Sequence, residues 1–93
     1  MKAQSSTQGR KVKFALVTDP GSRVYVAGSF NNWDTGQYPM KDNPNSGIYC
    51  TVVPLPAGRH EYKFIVNGVW CTDPKCAESA WNEHGTMNSV RIV

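Results

Sequence analysis

The dipeptide Asn67-Gly68 stands between two apolar runs, Tyr62–Val66 and Val69–Cys71, and it constrains this chain more than any other feature. Both central residues of a two-residue type I′ turn need positive φ, which Asn and Gly tolerate, so the pair predicts a tight β-hairpin. The turn sets the register: Val66 faces Val69, Ile65 faces Trp70, Phe64 faces Cys71 and Lys63 faces Thr72. Directly paired residues share a face of the sheet, and successive residues alternate. Tyr62, Phe64, Val66, Val69 and Cys71 therefore form an apolar, core-facing set. Lys63, Ile65, Trp70 and Thr72 form the other set, and its lysine turns that face to water. The hairpin thus holds an indole on the solvent side, diagonal to a lysine.

The rest of the chain repeats this style of short alternating runs divided by Gly, Pro, Asn and Asp, the pattern of an all-β sandwich. Strands are expected at residues 11–18, 23–29, 48–55, 60–66, 69–72 and 88–93, with a short one around Met40. Asp19-Pro-Gly-Ser22 supplies a tight turn, and Asp42-Asn-Pro-Asn-Ser-Gly47 and Pro54-Leu-Pro-Ala-Gly58 supply two further connectors. No run has a 3.6-residue period long enough for a helix. Residues 1–10 are polar and are expected to be a disordered tail, leaving residues 11–93 as a single module. At 93 residues the chain suffices for one domain, with a thin core and little room for a deep internal active site.

Charge and cysteine content narrow the function classes. The ten Lys and Arg are scattered and the net charge is only +3, without the basic stripe that nucleic-acid binding calls for. No apolar run approaches the ~20 residues of a membrane-spanning helix. The polar N-terminal stretch has no signal-peptide core, so a cytoplasmic location is expected. Three cysteines, Cys50, Cys71 and Cys76, make an odd set and are expected to be free thiols. Cys71, Cys76 and His84 lack the paired spacing of a metal site, and no cofactor motif is present.

Tryptophan placement points to a ligand. An aromatic face stacks on the apolar C–H patch of a sugar, while neighbouring Lys and Asn side chains meet its hydroxyls. Trp70 fits this through the hairpin register, and Trp33 leaves a strand end among Asn31, Asn32 and Asp34. The alternative is that both indoles lid the core edge. Trp81 is open between a lid, a third sugar contact and a core residue. His60 alternates with Tyr62 and Phe64 and is expected to be structural. The seven carboxylates include turn residues Asp19, Asp42 and Asp73, and no pair or nucleophile constellation for catalysis is legible.

Three blocks carry a resemblance: Val24-Tyr-Val-Ala-Gly-Ser-Phe-Asn-Asn-Trp33, then Leu55-Pro-Ala-Gly-Arg-His-Glu-Tyr-Lys-Phe-Ile-Val-Asn-Gly-Val-Trp70, and Asp73-Pro74 with Gly85-Thr-Met-Asn-Ser-Val90. In family order from Lys11 to Val93, they resemble the family forty-eight carbohydrate-binding modules, the isoamylase-N-terminal-like group that includes the glycogen-binding domain of the AMP-activated protein kinase β subunit. The resemblance implies an immunoglobulin-like, early-set antiparallel β-sandwich that binds α-1,4-linked glucans such as glycogen, starch and maltooligosaccharides. By position, Trp33 and Trp70 are the stacking platform, Lys63 bonds glucose hydroxyls, and Thr86 and Asn88 line the other side. The kinase modules have a Leu before Gly-Thr that presses on the sugar. Here that position is His84, which is expected to pack or to donate a hydrogen bond.

The resulting expectation is a non-catalytic α-glucan-binding module. Two alternatives stand beside it: an accessory N-terminal domain of a glycogen branching or debranching enzyme, and a regulatory domain whose exposed Trp engages a protein partner. Met1 and Val93 as termini give the expectation of a free-standing small protein.

Overall fold

A computed structural model describes residues 9–42 and 46–93. The strands are β1 (Arg10–Val17), β2 (Val24–Gly28), β3 (Tyr38–Asp42), β4 (Ile48–Leu55), β5 (Arg59–Val66), β6 (Val69–Cys71), β7 (Ser79–Trp81) and β8 (Met87–Ile92). One turn of 3₁₀ helix, Ser29–Asn31, follows β2. Pairing is antiparallel throughout, in the order β1-β4-β3-β2-β5-β8-β7, with β6 beside β5. The sheet curls into the two layers of an immunoglobulin-like sandwich. β3 turns the corner: its Met40 pairs with Val24, while its next residue, Lys41, pairs with Cys50. Among the described residues no helix is long and apolar enough to cross a membrane, which leaves membrane β-barrels unaddressed.

Alternation builds the core. Val12, Phe14 and Leu16 from β1 meet Tyr49, Val53 and Leu55 from β4 and Val24, Val26, Tyr62 and Phe64 from β2 and β5. The layers join edge-to-face, with the Phe14 and Tyr62 ring centroids 4.8 Å apart. Arg91 covers the seam, its guanidinium carbon 4.8 Å from the Phe14 centroid, a cation–π contact. Tyr62 is fully buried and its hydroxyl donates to Asp73 at 2.7 Å. Burial, then the Asp73 carboxylate, pushes its ionisation well above the ordinary tyrosine value.

Close backbone approach explains two glycines. A Cβ on Gly28 would sit 2.4 Å from the Glu61 carbonyl oxygen, so β2 and β5 could not keep their spacing. Gly47 has φ +81°, and a Cβ there would lie 2.7 Å from the Thr18 carbonyl oxygen. Tyr49 ties down the expected turn by accepting from Ser22 N and donating to the Asp19 carbonyl.

The hairpin register holds as expected at Val66–Val69, Ile65–Trp70 and Phe64–Cys71. The ladder stops there, so Lys63 and Thr72 are not paired. Two residues fall on the other side of expectation. Val69, beside the turn on a strand that pairs only with β5, is 65% exposed, whereas Ile65 is 5% exposed. Ile65 lies between its cross-strand partners Tyr25 and Trp70, whose rings shelter an otherwise outward residue. Cys71, expected inside, is half-buried, and burial raises its thiol pKa. Arg10 belongs to β1 opposite Leu55 instead of to the expected tail. The remaining tail expectation concerns residues 1–8 and part of one connector residues 43–45, all outside the described residues.

Phe64→Ala is expected to cost ~3–5 kcal/mol, as for a fully buried aromatic. Trp70→Ala, at a 44% exposed position, is expected to cost less than ~1 kcal/mol. Thermal unfolding of both variants checks this, and a larger loss for Trp70→Ala would overturn the register.

Candidate functional site

The outer edge of β5 changes partner part-way along. Arg59 to Tyr62 pair with β8, and Phe64 to Val66 pair with β6. Lys63 lies at the fork between them. A groove of about 790 Å³ opens over this fork, lined in part by Trp33, Glu61, Lys63, Trp70, Asn82 and His84. Thr86 and Asn88 complete the opposite wall, so all six residues expected at the site converge on one groove.

Trp33 and Trp70 form one end of it, with ring centroids 6.3 Å apart and planes tilted by 55°. Trp70 stands on β6 by hairpin register. Trp33 is half-buried rather than fully exposed, and it sits in a left-handed conformation at φ 59°, after Asn32 at φ 55°. Such positions cost of order 1–3 kcal/mol and persist only where the surroundings enforce them. Here they are enforced. Asn31 Oδ1 accepts from Gly28 N, Asn31 Nδ2 donates to the Asp34 carbonyl, and Trp33 N donates to the Gly28 carbonyl. Phe30 pins the same turn to the core, stacked against Phe14 at 6.0 Å.

The far wall is the turn between β7 and β8, organised by Asn82. Its Oδ1 accepts from His84 N at 2.9 Å and Thr86 N at 3.1 Å. Its Nδ2 donates to Thr86 Oγ1 at 2.7 Å and to Asn88 Oδ1 at 3.1 Å. Lys63 Nζ also donates to Thr86 Oγ1, at 3.1 Å. With two donors on its oxygen, the Thr86 hydroxyl is left to donate its own proton outward. Asn88 is 4% exposed, with both ends of its amide engaged, Nδ2 donating to Glu61 Oε1 at 2.9 Å. It is part of the frame of the groove. His84 lines the rim.

Glu61 and Asn82 were not singled out in the sequence. Glu61 was within reach, since it shares the parity of Lys63 on an outward face. Asn82 lies beside an unanticipated strand, β7, whose three residues carry too little alternation to reveal it. Trp81 is 72% exposed and lies outside the groove, so it is neither core nor part of this wall. His60 is buried, its Nε2 within 2.8 Å of the Pro56 carbonyl, a structural role as expected. Among the described residues no group of three His, Cys, Asp or Glu side chains is placed to hold a metal ion.

A family model of the glycogen recognition site of AMP-activated protein kinase matches residues 12–93. The chain belongs to that family. Within it, the chain is 36% identical over 87 residues to the AMP-activated protein kinase β-1 subunit of Sus scrofa, covering 94% of this chain and 66% of that sequence. Its identity to the β-1 subunit of Bos taurus is 38% over 73 residues, 78% of this chain and 25% of the relative. The Rattus norvegicus β-1 subunit is 37% identical with the same coverage. The chain thus spans just under two thirds of one of these relatives and a quarter of the other two.

The frame of the groove depends on charge. Hydrogen bonds from Asn88 and then Arg59, the latter also an ion pair at 2.8 Å, hold the Glu61 carboxyl below its ordinary 4.5. A depressed carboxylate adds stability above its unfolded pKa, and that stability is lost as pH falls through the folded value. Glu61→Gln is therefore expected to lower the melting temperature near neutrality, with the difference from wild type shrinking below about pH 4. Unfolding curves across that range test it, and a pH-independent difference would contradict it.

Proposed function

We propose that this domain binds glycogen and related α-1,4-linked glucans in the groove without cleaving them. The observation that carries the reading is the pair of tilted indoles at one end of a groove whose other wall offers hydroxyl partners. The tilt of 55° suits a curved glucan better than a flat, cellulose-like chain. Trp33 and Trp70 supply the stacking faces. Lys63 spends one proton on Thr86 and keeps two for sugar oxygens. Thr86 donates its hydroxyl, and His84 packs or bonds from the rim. Asn88 acts by holding the wall. Membership of the glycogen-recognition family supports the same ligand class.

Cleavage would need a carboxylic acid protonated near neutrality beside a second carboxylate. The groove is lined by Glu61 and Glu83, and the Glu61 carboxyl is shifted in the opposite direction from a general acid. Titration with maltoheptaose and β-cyclodextrin is expected to give saturable binding, with cellulose ignored and no new reducing ends above a heat-killed control. Trp70→Ala is expected to weaken binding about 30-fold or more, the ~2 kcal/mol of an interface hot spot. Unchanged affinity in that variant, or released reducing ends, would refute the proposal.

Asn82→Ala tests the wall separately. It removes four hydrogen bonds that shape the turn, so affinity is expected to fall several-fold, with a stability loss of about 1–2 kcal/mol. Wild-type affinity would show that the wall does not contribute.

A second reading concerns protein partners. The outward face of β1, β4 and β3 carries exposed Val17, Ile48 and Val52 with Lys11, Lys13 and Lys41, and no carboxylate among the described residues. The relatives are subunits of a kinase, and this face suits an acidic, partly apolar protein surface. It lies across the sandwich from the groove, so maltoheptaose should not displace a partner held there.

A further inference from the structure

A second hollow of about 510 Å³ adjoins the first on the same outer face, lined by Arg23, Tyr25, Thr35, Ile65, Asn67 and Gly68. Tyr25 and Ile65 on its floor belong to a cross-strand row. Tyr25 on β2 pairs with Ile65 on β5, which pairs with Trp70 on β6, so the three side chains share one face. Tyr25 and Trp70 stand two strand spacings apart, about 10 Å, with the buried Ile65 between them. Trp70 borders the main groove and ends this row beside Ile65, which lines the hollow.

The rim of the hollow has the donors and the rigidity that a sugar site needs. Asn67 accepts from Arg23 N at 2.8 Å through Oδ1 and donates its own N–H to the Arg23 carbonyl at 2.8 Å. These bonds lock the hairpin turn to the start of β2 and leave Asn67 Nδ2 without a protein partner among the described residues. The Arg23 backbone is thereby fixed while its exposed guanidinium remains available, and Thr35 adds a hydroxyl. A half-buried tyrosine ring, a planar cation and two neutral polar groups match the apolar face and the hydroxyl edge of one hexose. A nucleotide or another anion fits less well, because only Arg23 is charged.

We propose that this hollow is an additional glucan subsite, holding a glucose unit of the same chain that occupies the groove, with Tyr25 as its stacking face and Arg23 as its hydrogen-bond donor. The proposal rests on glucan binding in the main groove and adds a source of chain-length preference. A short oligosaccharide fills the groove alone. A longer one crosses the Trp70 edge and gains contacts that the short one lacks.

The test is calorimetric titration of wild type, Arg23→Ala and Tyr25→Ala with maltotriose and with maltooctaose, with thermal unfolding as a control. Arg23→Ala is at an exposed position and keeps the fold testable if Tyr25→Ala, which is half-buried, lowers stability. The expected result is that each folded variant binds maltotriose as wild type does and loses about 5- to 10-fold in affinity for maltooctaose. A maltooctaose-to-maltotriose affinity ratio in Arg23→Ala equal to wild type would overturn the subsite while leaving the groove intact. Equal losses for both sugars would also overturn it, since Arg23 would then act on the groove. Wild-type protein that binds neither sugar would overturn the groove reading and the subsite together.

Discussion

Strand β5 gives one edge to two different partners, and the domain's outer face depends on that division. Hydrogen bonding along an antiparallel ladder is obligatory for buried backbone, so β8 and β6 must each satisfy their own stretch of β5. The changeover falls at Lys63, leaving its ammonium between two strand ends instead of within a continuous flat face. A flat sheet cannot form a groove. A forked one can, because β6 carries Trp70 to one side and β8 carries Asn88 to the other.

The wall of the fork opposite the tryptophans is held by groups whose polar atoms are already engaged. Asn82 uses both atoms of its amide twice, and Asn88 bridges it to Glu61, which is anchored in turn by Arg59. A polar network of this kind is stable only when every member is satisfied. Among the described residues, no buried side-chain nitrogen or oxygen lacks a partner. The wall is therefore preorganised, and Lys63, Thr86 and His84 at its surface keep capacity for a ligand. For the glucan binding proposed above, rigidity placed behind these residues would limit the ordering cost.

The tryptophan side follows a different logic. Trp33 is held by strain that its own turn enforces, with Asn31 closing the loop and Phe30 anchoring it beneath. Gly28 makes this possible by letting β2 run close to β5 just before the turn. The angle between the indoles thus results from a hairpin on one side and a strained turn on the other. Trp70 beside the groove and Asn67 and Gly68 beside the neighbouring hollow make both sensitive to the same hairpin.

Much of this was legible in the chain itself, for local reasons. Asn67-Gly68 dictates a turn through positive φ, and period-2 alternation then dictates which of Tyr62, Lys63, Phe64 and Trp70 share a face. Those rules need no distant contact, and the register they predict is observed for the three pairs from Val66–Val69 to Phe64–Cys71. Burial was another matter. Whether a residue on a given face is covered depends on what other strands bring to it, so Ile65 is sheltered between Tyr25 and Trp70 while Val69 is left exposed. The three-residue β7 and the role of Asn82 were equally hidden, because that strand exists only by pairing with β8. Sequence determined the hairpin, its faces and the residue types fit for stacking on a sugar. Tertiary structure alone decided the fork in β5, the tilt between Trp33 and Trp70 and the second hollow, because each arises where segments distant in the chain meet.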